Sequence, residues 1–141
     1  MENRRFKPMI GLMFWIIWIP TILLLIVGTA LSALAPIALC ILIATDLFTL
    51  YFLVTSLFGY VELREKTVYI KFGFFTSREI PYDKIRDVSR ESKIYADSMI
   101  ALKNSLEHVN VRYNRFDIVS VSVVTNDELI SELQKRINTT N

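Results

Sequence analysis

Residues 9–58 read MIGLMFWIIWIPTILLLIVGTALSALAPIALCILIATDLFTLYFLVTSLF, fifty consecutive residues with a single charge, Asp46. One bilayer crossing takes about 20 apolar residues, so the run holds two crossings and is too long for one. Ser32-Ala33-Leu34-Ala35-Pro36 interrupts it with small residues and a proline. The pattern predicts a transmembrane helical hairpin with spans over 9–31 and 37–58. Residues 1–8 form a basic N-terminal flank, and 59–141 form a polar domain.

The first span is longer than the about 7–15 residues of a signal-peptide core, and a second apolar span follows it directly. It is therefore read as an uncleaved anchor. Arg4, Arg5 and Lys7 precede the first span, the turn carries no Lys or Arg, and Arg64, Lys66 and Lys71 follow the second. The positive-inside rule then puts both flanks in the cytoplasm. The expected location is the cell membrane, multi-pass, with the lipid bilayer as the first partner.

Asp46 is the one ionisable group at depth. A carboxylate there is costly unless it faces protein, water or another subunit. It either belongs to a proton or ion relay or holds the hairpin or an oligomer together; Thr45 and Thr49 lie near it in sequence, and the first span offers only Thr21 and Thr29. Pro20 can kink the first span. Gly28 and Ser32 make a small-xxx-small pair that allows close helix approach.

From Tyr60 the period changes to two. Val61 and Leu63, then Val68, Ile70 and Phe72, alternate with polar residues around a turn at Glu65-Lys66, which predicts a β-hairpin. Ser77–Ile80 is a strand stopped by Pro81, Tyr82-Asp83-Lys84 a turn, and Ile85–Val88 extended. Residues 91–105 are the best loop candidate. Val109, Val111 and Tyr113 alternate again, Asn114-Arg115 turns, and Ile118–Val124 is strand-like. Thr125 and Glu128 form a capping box before an amphipathic helix with Leu129, Ile130, Leu133 and Ile137 on one face. Lys135 and Arg136 are expected in its last turn. The fold class is α+β: a two-helix hairpin, then six to seven antiparallel strands capped by a C-terminal helix.

The order and spacing of three segments resemble a known family. Arg78-Glu79-Ile80-Pro81-Tyr82-Asp83-Lys84-Ile85 is similar to the R-I-P-Y-x-x-I centre of the YyaB-like bacterial PH-domain family. Ser105–Tyr113 is similar to its S-L-D-R-L-x-I-x-Y segment, and Val121-Ser122-Val123 with Asp127–Leu133 to its I-S-P turn and final helix. Two positions depart: His108 stands where the family has a basic residue, and Val123 where it has proline. The resemblance implies a pleckstrin-homology-like barrel over about Tyr60 to Asn138. It also implies a role in bacteriocin self-immunity, of the lantibiotic or glycocin type. A structural or assembly subunit of a membrane complex is the alternative.

Residues 59–141 carry thirteen Lys/Arg against twelve Asp/Glu, a net of +1, which gives no electrostatic reason for a nucleic-acid partner. Cys40 is the only cysteine and lies in the second span, so no disulfide and no Cys-based metal site is expected. His108 is the only histidine and falls on a strand; a nucleophile–base pair would need Ser105 beside it. Asp83, Asp87 and Glu91 recur on extended structure, where a spacing of four does not converge on a metal. The expectation is no enzyme, no cofactor and no metal, with a membrane protein or peptide as partner. Arg64, Lys66 and Lys71 are the candidate membrane-surface contacts, gaining about 1 kcal/mol each near an anionic leaflet. Asp46 is the candidate intramembrane contact.

Overall fold

A computed structural model describes residues 3–98 and 101–140. The apolar run forms two helices, α1 (Leu12–Leu31) and α2 (Pro36–Leu57), joined by a single 3-10 turn over Ser32–Leu34. Pro36 opens α2 at its first turn, where a missing N–H costs nothing. Pro20 lies inside α1 without ending it. With its 3-10 extension the first segment has 23 residues and the second 22, and both are long and apolar enough to cross a bilayer.

The described residues form eight strands. One sheet has the order β1-β2-β3-β4, with β1 (Arg4–Phe6), β2 (Tyr60–Leu63), β3 (Thr67–Lys71) and β4 (Ser77–Pro81). The other has the order β5-β7-β8-β6, with β5 (Ile85–Ser92), β6 (Ala101–Leu102), β7 (Glu107–Tyr113) and β8 (Asp117–Val121). All pairings are antiparallel except β6 on β8. Between the sheets lie Val61, Leu63, Val68, Ile70, Ile80, Val109, Val111, Val119 and Val121, each at most 1% exposed. Helix α3 (Asn126–Thr140) lays Leu129 and Leu133, fully buried, over the open end of this core.

The N-terminal flank is part of this fold. The sequence sets residues 1–8 apart from the sheets, yet Arg4, Arg5 and Phe6 pair with Leu63, Glu62 and Val61. Phe6 is 5% exposed in the core. Beyond β1, Val124 N–H donates to Lys7 O and Met9 N–H to Ser122 O. The flank therefore leaves one sheet and joins the other, closing a seam between them. Its charges concealed this, because only one of three side chains in so short an edge strand points inward.

Three further expectations change. The stretch 91–105 contains the end of β5 and the two-residue β6. Lys135 and Arg136 are not in the last helical turn, since α3 continues to Thr140. At the start of α3, Asn126 Oδ1 accepts from Val123 N–H at 3.0 Å, and Glu128 pairs with Arg4. The shared sheet edge thus draws the capping-box glutamate outward.

Candidate functional site

The two apolar helices meet at Asp46. Thr29 Oγ1 of α1 donates to Asp46 Oδ2 of α2 at 2.6 Å, tying the helices together. The other oxygen, Oδ1, is buried and has no hydrogen-bond partner among the described residues. Of the threonines near Asp46 in sequence, Thr45 turns away to Ile41 O. Asp46, Thr49 and Trp18 line an apolar cleft of about 160 Å³ between the helices with Ile22, Leu25 and Leu53. Gly28 does not serve close approach within the hairpin: a Cβ there would meet nothing within 4 Å. Ser32 instead donates to Gly28 O.

The domain grips the open end of the hairpin. Gly11 N–H donates to Asn104 O at 2.9 Å, and Asn104 Nδ2 donates to Ser56 O at 2.9 Å. One residue thereby serves the first turn of α1 and the last turn of α2, where helix ends leave backbone groups without internal partners. A Cβ on Gly11 would lie 2.9 Å from Ser105 Oγ, so any larger residue there would have to push Ser105 aside. On the other side Gly73, at φ +115°, lies against Thr55; a Cβ there would come within 2.8 Å of the Thr55 side chain.

The three basic candidates separate in space. Lys71 pairs with Tyr60, directly after α2. Arg64 and Lys66 lie in the turn at the opposite end of the β2–β3 hairpin, about 10 Å or more farther along at 3.3 Å per residue. Strand direction carries them away from the two apolar helices. Arg64 is held there by Glu62 Oε2 at 3.2 Å, Glu79 Oε1 at 3.3 Å and the Tyr69 ring at 4.0 Å. Partial desolvation pulls its pKa down, but the bonds and charges of both glutamates outweigh this and raise it. Its carbonyl accepts from Tyr82 Oη and from the buried Arg136 Nη1, each at 2.8 Å.

Sequence reasoning missed a polar patch on the outer face of the second sheet. His108 and Glu91 are cross-strand partners, and Asp97 of the β5–β6 segment folds over them. One ligand atom from each lies within 4.8 Å of the others. His108 is fully buried; its Nδ1 faces Leu106 O at 3.0 Å, and Nε2 has no partner among the described residues. The patch carries its own cation. Lys93 Nζ lies 2.6 Å from Glu91 Oε2 and 3.5 Å from Asp97 Oδ2. The Lys93 bond lowers the Glu91 pKa, and Glu91 raises that of Lys93. Asn110 Nδ2 donates to Asp97 at 2.9 Å, and Ser120 Oγ to Asn110 at 2.6 Å. The candidate nucleophile Ser105 packs on Gly11. The patch reads as a latch that holds the 93–98 segment on the sheet.

A second cleft, about 420 Å³, lies around the β7–β8 turn, lined by Arg86, Arg112, Arg115 and Phe116 with Asp87 and Asp117. Its charges are mixed, and the strand directions place it at the end remote from the hairpin.

The model of the bacterial PH domain family matches residues 59–137, more than half of the chain. No curated protein and no solved structure matches. Two packed sheets closed by a C-terminal helix are what such a domain requires, and the chain belongs to the bacterial PH domain family.

Proposed function

We propose that the chain is a membrane-anchored, non-catalytic binding module that holds its PH domain at the inner face of the cell membrane. The observation that carries this is the Asn104 junction, which bolts the domain to both helices of the apolar hairpin. Pairing of β1 with β2 supports an even number of crossings, because the strand before the hairpin and the strand after it share one sheet. The basic flanks favour the cytoplasm for both. Protease added outside intact cells should leave the domain uncut; cleavage between 59 and 141 would refute this orientation.

Within that frame, the likeness of 78–85 and 105–113 to the YyaB-like branch supports bacteriocin self-immunity. Expression in a sensitive bacterium should raise the inhibitory concentration of at least one peptide in a lantibiotic and glycocin panel. Unchanged sensitivity across the panel would sink the immunity role.

The unpartnered Asp46 oxygen favours a second reading, assembly with another membrane protein whose helix supplies a donor. Asp46→Ala should then reduce co-purification of that partner. Full retention by Asp46→Ala and Asp46→Asn alike would remove Asp46 as the contact.

A further inference from the structure

Two loops of the domain reach along the sides of the hairpin, past the helix ends. On one side Phe75 stacks on Tyr51, ring centroids 6.3 Å apart, and Phe74 lies 5.4 Å from Phe58. Tyr51 is six residues inside the end of α2, about 9 Å along the axis at 1.5 Å per residue. On the other side Ile94 and Leu106 share a cleft with Met13, Phe14, Ile17 and Trp18 of α1. The rims of both loops turn apolar side chains outward: Phe75 is 85% exposed, Ile94 79% and Tyr95 65%.

Helix length decides where these rims lie. If both loops stayed in water, the crossing would begin near Trp18 and end near Tyr51. About fourteen residues of α1 and sixteen of α2 would remain, about 21 and 24 Å, against a hydrocarbon core of about 30 Å. Only with the loops immersed do the helices span in full.

We propose that the Phe74–Phe75 and Ile94–Tyr95 loops form a collar sunk into the cytoplasmic leaflet, with a phospholipid acyl chain in the groove behind Phe75. The groove, about 510 Å³, lies between α2 and the β3–β4 loop and has no charged lining residue among those described. Its volume falls within the range of about 300–1,000 Å³ typical of small-molecule sites. It opens beside the exposed Tyr51 and Phe52 of α2, and although Thr55, Ser56 and Asn104 contribute polar atoms, its wall is mainly aromatic and uncharged, which suits a hydrocarbon chain. This inference rests on the anchoring proposed above.

The test uses the full-length chain with Cys40→Ser, carrying one cysteine at a time: Phe75→Cys, Ile94→Cys, Leu24→Cys in α1, or Glu65→Cys in the remote turn. Each is labelled with an environment-sensitive fluorophore in vesicles containing phospholipid spin-labelled high or low on the acyl chain. Labels at 75 and 94 should be blue-shifted and quenched most by the shallow spin label, the label at 24 by the deep one, and the label at 65 by neither. If 75 and 94 behave like 65 while 24 is quenched, the collar is refuted and the anchor stands. If 24 is also unquenched, the anchor fails and the collar with it. Phospholipid with a diazirine on its acyl chain should label residues 51–56 or 72–76 of the Cys40→Ser protein. Labelling confined to the outer faces of α1 and α2 would empty the groove of lipid.

Discussion

The side-chain amide of Asn104 donates to the carbonyl of Ser56 at 2.9 Å, so the loop before β7 caps the end of α2. With Gly11 N–H on the Asn104 carbonyl, the polar domain and the apolar hairpin meet through directional bonds as well as through chain connectivity.

Asn104→Ala should loosen that junction. A buried hydrogen bond contributes about 0.5–1.5 kcal/mol net, and about 1 kcal/mol moves Tm by about 4–8 °C in a domain of 60–100 residues. A Tm drop of that order in detergent is expected, with faster amide exchange at 56–60. Unaltered exchange there would refute the junction.

The Thr29–Asp46 bond should behave as a coupled pair. Interhelical hydrogen bonds in membranes are worth about 0.6 kcal/mol on average and up to about 1.7. Thr29→Val and Asp46→Leu should each destabilise the hairpin, and the double variant by less than their sum. Asp46→Asn keeps an acceptor and should cost least. Strict additivity in the double-mutant cycle would exclude the bond.

At Gly73, alanine brings two penalties. Backbone at φ +115° is open to glycine and strained for other residues, and the new Cβ would meet Thr55. Gly73→Ala should cost more than 1 kcal/mol, read as a lower urea midpoint. Gly28→Ala, facing open space, should be close to neutral or slightly stabilising as glycine leaves a helix interior.

Tyr82 and Arg136 share the Arg64 carbonyl. Tyr82→Phe keeps the packed ring and removes one donor, so a loss of about 1 kcal/mol is expected. Arg136→Met should leave the helix in place and make the Tyr82 bond more consequential. A double-mutant cycle checks the coupling.

The pH dependence follows from two glutamates. Thr67, chiefly, lowers the pKa of Glu79, and Lys93 that of Glu91. Both carboxyls therefore favour the folded state fully above their ordinary value of 4.5. That contribution is lost as pH falls through the lowered native values. Lys93→Met should relax Glu91 and flatten the fall of Tm between about pH 5 and 3; an unchanged slope would refute the pairing.

The hairpin and most strands are legible because their signals are local. Two long apolar segments stand out in a run of fifty residues with one charge, and Val61, Leu63, Val68 and Ile70 alternate with the pleat. What escapes a linear reading depends on partners distant in sequence. Arg4–Phe6 is a charged flank until Val61–Leu63 is beside it. Ala101–Leu102 becomes a strand only through parallel pairing with Ser120 and Val121. His108 and Asn110 alternate as solvent-facing residues should, and are buried because Asp97 and its neighbours cover that face. Of the site residues, Asp46 was visible as a lone charge. Asn104 carried no signal, since an asparagine in a loop looks like any other.

The pairing of Arg4–Phe6 with Leu63–Val61 sets an order of events during biosynthesis. The first strand emerges from the ribosome more than fifty residues before its mate and must wait unpaired while the hairpin is made. Its second neighbour, Val123 opposite Pro8, follows it by more than one hundred residues. The seam between the sheets therefore closes only after both helices and the last strand have been made, and a substitution that disrupts Arg4–Phe6 would obstruct that closure while leaving the helices in place.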